Sequence, residues 1–219
     1  MSSIDKYLRF QFASLAVLTY AQDSLELYYR FASILMRHVP KDSVDSWLRQ
    51  TSLSPRRLIP ALLQQQQRKG TSKNTSQAIR YLTNVIHQQG SIDTTIYNLL
   101  LTFYASDLDP DDGPLLRFLI ACPDDPTTGR PYYDLDYALR LCKLHGRIQP
   151  CVHIYSKMGL YESSVDLALE KGDLDLAMIN ADRPEDDDVL RKKLWLKIAK
   201  HVVQEQKDIK RYAFPAKSV

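Results

Sequence analysis

Glycine is scarce in this 219-residue chain, at 7 residues, and cysteine scarcer still, at 3. So few glycines argue against a turn-rich all-β fold, whose tight connections depend on them. An odd number of cysteines (Cys122, Cys142 and Cys151) argues against a disulfide framework and fits a reducing compartment better. No apolar run reaches the roughly 18 residues a membrane-spanning helix needs. The opening MSSIDKYLRF lacks the basic segment and apolar core of a signal peptide, so a cytosolic chain is expected. A net charge of +3 is small for this length, and gives no reason to expect nucleic acid as a partner. Motifs of catalysis are missing too. There is no G-x-S-x-G, no phosphate-binding glycine loop and no H-E-x-x-H.

What is present is an ordinary soluble composition, 44% hydrophobic and 25% charged, with apolar residues recurring at helical spacing. Leu27, Phe31, Ile34, Leu35 and Val39 form one such face over 24–38, with Pro40 just past its end. Asp42 or Ser43 opens a short helix with Val44, Trp47 and Leu48. Pro55 opens another at the favoured first-turn position, with Leu58, Leu62 and Leu63. GTSKNTS, 70–76, reads as a loop. Beyond it come a helix with Ala78, Ile79, Leu82, Val85 and Ile86, stopped by Gly90, and one opened by Asp93 or Thr94 with Ile96, Leu99, Leu100, Phe103 and Tyr104. PDDPTTGRP, 123–131, is the least ordered-looking interior stretch. Further helices are expected over 134–145, 149–158, 161–170, 173–181 and 185–206.

About ten short helices with short loops define an all-α chain. Helix pairs with a period of 30–40 residues cannot bury their apolar faces alone, so they stack as an α-solenoid of antiparallel pairs. A compact bundle is the plainer alternative. Ala138, Ala168 and Ala177 are the small residues that close helix crossings require.

Cys142, His145, Cys151 and His153 have the outward look of a zinc set. A tetrahedral site needs four converging ligands, and Cys151 and His153, two apart on a helix, point away from each other. Buried thiols and ordinary histidines are the better reading, and no metal or cofactor is expected. EDDD, 185–188, precedes a helix whose positive dipole end and free N–H groups it suits. In that helix Leu190, Leu194, Ile198 and Val202 form a stripe, with Trp195 and Ala199 beside it. Arg191, Lys192, Lys193, Trp195, Lys197 and Lys200 stand as the candidate interaction surface. Three readings apply: a packed helix with a solvated basic face, a protein-binding face, or a surface for acidic lipid.

The stretch YALRLCKLHGRIQPCVHIYSKMGLYESSVDLALEKGDLDLAMINAD, followed by LRKKLWLKIAKHVV, resembles the vacuolar protein sorting-associated protein 18 family. So do ELYYRFASILMRHVPKDSVDSWL, LSPRRLIPALL and AIRYLTNVIHQQGSIDTTIYNLLLTFYA. The resemblance implies a segment of an α-solenoid with clathrin heavy-chain-type repeats over 23–211. It leaves 1–22 as a poorly matched segment expected to be helical, and 212–219 as an irregular tail broken by Pro215. The family's β-propeller and RING are not among these residues. Implied with the family are a non-catalytic scaffold role in the HOPS and CORVET tethering complexes and a peripheral place on endosomal and vacuolar or lysosomal membranes. Its implied partners are other class C Vps subunits, above all the sister RING-bearing subunit, and indirectly Rab and SNARE machinery. Rival readings are a solenoid of another vesicle coat or adaptor, and a peripheral membrane module acting through the basic helix.

Overall fold

The computed structural model describes residues 25–66, 72–107, 109 and 111–213. Among them run eleven helices: α1 Leu25–His38, α2 Pro40–Arg49, α3 Pro55–Gln66, α4 Ser72–His87, α5 Thr94–Ala105, α6 Gly113–Ala121, α7 Leu135–Leu144, α8 Ile148–Lys157, α9 Tyr161–Glu170, α10 Leu174–Ala181 and α11 Asp188–Ala213. One isolated bridge, Asp124 to Pro131, is the extended pairing found among these residues. The segment 1–22 lies outside the described residues. Helix α11 runs through Ala213, two residues into the expected irregular tail, and 214–219 again lie outside.

The chain divides into two compact units, one of residues up to 110 with 122–134, the other of 111–121 with 135 onward. In the first, α1 packs on α2 and α3, α2 on α4, α3 on α4 and α5, and α4 on α5. In the second, α6 and α7 pack on α8, α8 on α9, α9 on α10 and α11, and α10 on α11. Each of these contacts joins a helix to its neighbour or next neighbour in the chain, the pattern of stacked helix pairs.

The first unit is built on large side chains. Trp47, Tyr81 and Phe103 are fully buried, and the rings of Trp47 and Tyr81 meet edge to face at 5.6 Å, joining α2 to α4. Burial pushes the Tyr81 hydroxyl well above the ordinary range. Helix α5 buries seven residues distributed all round its axis, as a central helix must. Asp93 caps it, accepting a hydrogen bond from the Thr95 N–H at 3.0 Å. Asp93 also takes a two-pronged contact from Arg56, which with the cap holds its carboxyl down to about 2.

Segment 123–131 departs from expectation by being tightly organised. Asp125 accepts from the Thr127 N–H and hydroxyl at 2.9 and 2.7 Å and from the Thr128 hydroxyl at 3.1 Å. Its N–H donates to the Arg130 carbonyl at 2.7 Å, closing the loop through Gly129 at φ +64°. A short acidic side chain bonding its own backbone makes such a turn from residues that composition alone reads as loose. Tyr132 packs against Tyr97 at 5.6 Å, and the Asp134 N–H donates to Asn98 at 3.0 Å.

Three other expectations need correction. Helix α2 begins at Pro40, not at Asp42 or Ser43, because proline at the first helical position loses no hydrogen bond. The 70–76 run is not all loop, since α4 is helical from Ser72; serine, threonine and asparagine suit a helix start. On α1 the buried residues are Tyr28, Ala32, Leu35 and Met36 while Ile34 is exposed. The stripe is turned about one residue from the expected one, and small Ala32 sits where the neighbours come close.

The core of the second unit is aliphatic, with no buried aromatic ring among the described residues. Ala138, Ala168, Ala177 and Ala181 are fully buried. Val152, Val165, Ala168, Leu169, Ala177, Ala181, Leu194 and Ile198 form one cluster. The buried Ser164 hydroxyl donates to the Val152 carbonyl at 3.1 Å. Near-complete burial of Arg147 is matched by its ion pair with Asp112 at 3.2 Å, which ties the start of α8 to the start of α6. An arginine can be desolvated this way because its delocalised charge is weakly hydrated and its partner remains close.

Candidate interaction surface

Helix α11 carries the predicted surface, and its entry follows from the acidic run before it. Asp187 accepts from the Leu190 N–H at 2.9 Å, capping the first turn. Leu194 and Ile198 enter the cluster, with Leu190 and Val202 packed partly against it. This inward stripe is the one the sequence pattern indicated, and Trp195 and Ala199 beside it are exposed.

Most of the six candidate residues are engaged by their own chain. Arg191 pairs with Asp188 one turn earlier. Lys193 reaches Glu162 at 2.7 Å and Lys197 reaches Asp166 at 2.5 Å, both on α9. The Lys193 ammonium holds the Glu162 carboxyl below its ordinary range. The Trp195 indole N–H donates to the Asp182 carboxylate at 2.7 Å, just past the end of α10. These links clamp α11 onto α9 and α10, so the four residues are structural in large part. Lys192 and Lys200 are different, being exposed and entering no ion pair among the described residues.

Sequence reading missed the outer apolar residues of the same helix. Val189, Leu196 and Val203 are 80%, 56% and 52% exposed, each seven residues from the next. The signal was available in that spacing, but the stronger inward stripe of Leu190, Leu194, Ile198 and Val202 overlies it.

The apparent zinc set is dispersed. Cys142 and Cys151 are buried thiols hydrogen-bonded to each other, which together with burial pushes the Cys142 thiol up. His145 is exposed beyond the end of α7. His153 is held down to about 4 by burial and then by nearby Arg183 and Lys157. Among the described residues no group of three or more His, Cys, Asp or Glu side chains is placed to hold a metal ion. A cleft of about 440 Å³ between α7, α8 and α9 has Lys143, Cys151, Tyr155, Asp166 and Lys171 on its walls. Its charges are mixed in sign, so it does not single out a ligand. No helix among the described residues is long and apolar enough to cross a membrane.

Helix pairs packed on near neighbours, clamped by surface ion pairs, make this an α-solenoid. Residues 9–203 match the family model described as VPS18, alpha-solenoid domain, second half. The chain is 46% identical over 187 residues to the vacuolar protein sorting-associated protein 18 homolog of Danio rerio, covering 85% of this chain and 18% of that one. It is 43% identical over 200 residues to the vacuolar sorting protein 18 of Arabidopsis thaliana, covering 90% and 20%. To the vacuolar membrane protein pep3 of Schizosaccharomyces pombe it is 36% identical over 187 residues, covering 85% and 20%. The chain belongs to the Vps18 family of vacuolar protein sorting proteins and spans about a fifth of the length of the curated relatives it matches.

Proposed function

We propose that this chain is a non-catalytic scaffold segment of a HOPS and CORVET tethering subunit, acting in traffic and fusion between endosomes and the vacuole or lysosome. The observation that carries the reading is neighbour-to-neighbour helix packing across a segment that matches the second half of the Vps18 solenoid. Stacked helix pairs form an element that spaces whatever is attached to it and offers ridges to other proteins. Its partners are other class C Vps subunits, chiefly the sister RING-bearing one, and through them Rab and SNARE machinery. It sits on the cytoplasmic side of endosomal and vacuolar membranes, peripherally, through the complex.

The test is co-purification of the chain with class C Vps subunits, followed by light scattering. A stoichiometric complex supports the scaffold reading. Failure of every subunit to bind reduces this segment to a spacer and sinks it. Rival membrane binding through α11 is read by co-sedimentation with acidic vesicles. Binding that is lost at high salt and in Lys192→Glu with Lys193→Glu would establish it instead.

A further inference from the structure

With Arg191, Lys193, Trp195 and Lys197 held by their own chain, a narrow stripe remains on the outer side of α11. At 3.6 residues per turn, Val189, Lys192, Leu196, Ala199, Lys200 and Val203 fall within an arc of about 100°, facing away from buried Leu194 and Ile198. The stripe is about 21 Å long from Val189 to Val203. We infer that it is a docking seam for an acidic amphipathic helix of a partner protein. The inference deepens the scaffold reading and rests on it.

The spacing points to a helix as occupant. Val189, Leu196 and Val203 repeat every seven residues, the period at which one helix keeps facing another. Exposed Ala199 lies between the last two, and its small side chain leaves room for a close approach. Charge decides the chemistry of the partner. Lys192 and Lys200 stand among or beside these apolar residues and enter no ion pair among the described residues, Asp188 one turn before Lys192 being taken by Arg191. Lys193 and Lys197 on the flank, in contrast, are already neutralised by Glu162 and Asp166. A helix laid on the seam would desolvate both free ammonium groups, which is unfavourable unless it brings carboxylates to them. A membrane surface fits less well. It wants a broad apolar face with aromatics at its rim, while this seam is one residue wide, is interrupted by lysine, and has Trp195 turned to Asp182.

The test uses the full chain and a synthetic helix of about twenty residues with leucine at the heptad seam and glutamate beside it, against a twin carrying lysine for glutamate. Fluorescence anisotropy should show the acidic peptide binding more weakly as salt rises, and the basic twin not binding. Leu196→Glu, and separately Lys192→Glu with Lys200→Glu, should each weaken binding about tenfold or more, while Lys193→Glu leaves it unchanged. Because these side chains are exposed, circular dichroism of the variants should match the parent. Equal binding of both peptides, binding of neither, or indifference to both seam variants overturns the proposal. So does vesicle binding, or self-association in light scattering, that Leu196→Glu abolishes. Run beside co-purification, the peptides separate two failures. Class C subunits that bind parent and seam variants alike remove the seam and leave the scaffold; peptide binding without any subunit does the reverse.

Discussion

The two units of this chain both bury alanines and aliphatic side chains, but among the described residues the first alone buries aromatic rings. In the first, Trp47, Tyr81, Phe103 and Tyr28 fill the core, with aromatic rings meeting across α2 and α4. In the second, alanines at 138, 168, 177 and 181 are buried among aliphatic side chains with no buried aromatic ring among the described residues, and ion pairs from α11 to α9 run over the outside. Close-packed interiors punish a lost volume in one case and an added volume in the other. The lesson is that a helix-pair stack does not dictate its core composition.

That contrast is open to direct attack. Trp47→Ala should cost about 3–5 kcal/mol, read by chemical denaturation, with faster hydrogen exchange confined to the first unit. An effect below 1 kcal/mol would mean that the aromatic lock is not what holds that unit. The mirror experiment is Ala168→Leu, which should cost about 1–3 kcal/mol by overpacking, with exchange faster in α8 to α10. If it stabilised the protein, the small-residue core would be underfilled and the comparison would fail.

Acid sharpens the difference next. His153, on α8, is held to about 4 when folded, against about 6.5 when unfolded. Between those values the unfolded chain binds more protons, so stability falls as pH drops from about 7 towards 4. Partial solvent access limits the loss to about 1–2 kcal/mol. His153→Gln should flatten that slope, and an unchanged pH profile would remove His153 as its cause.

In the first unit Asp93 works in a lower window. Its folded value of about 2 lies below the ordinary 3.8, so its contribution is present above about pH 4 and is lost as pH falls towards 2. Asp93→Ala should cost about 1 kcal/mol at neutral pH through the lost cap and Arg56 contact. Smallest of all, Lys193→Ala should change stability by less than about 0.5 kcal/mol, since its pair with Glu162 is exposed. A larger loss would give the α9–α11 clamp more weight than an exposed ion pair allows.

Helix existence was legible because apolar period and cap residues are local. Asp93 before α5 and the acidic run before α11 name their own starts. The buried alanines were legible too, since an alanine on an apolar helix face has little use except close contact. The turn of α1 by one residue was not. Phe31 and Ile34 are as apolar as Tyr28 and Met36, and only the position of α2 and α3 selects between them. For the candidate surface, the basic residues were plain from the sequence, but their availability was not. Whether Lys193 and Lys197 are free depends on Glu162 and Asp166, some thirty residues away.

By itself, then, the sequence determined that this protein is helical and where most of its helices start, since turn chemistry and periodicity act over a few residues. Its place with the Vps18 solenoids came separately, from the resemblance of its segments to that family. Only the tertiary structure decided which apolar stripe of α1 faces inward and which charges of α11 are cancelled. Those choices turn on partners far along the chain. That is why the outer seam of Val189, Leu196 and Val203, with Lys192 and Lys200, emerged only once the ion pairs of Lys193 and Lys197 had been placed.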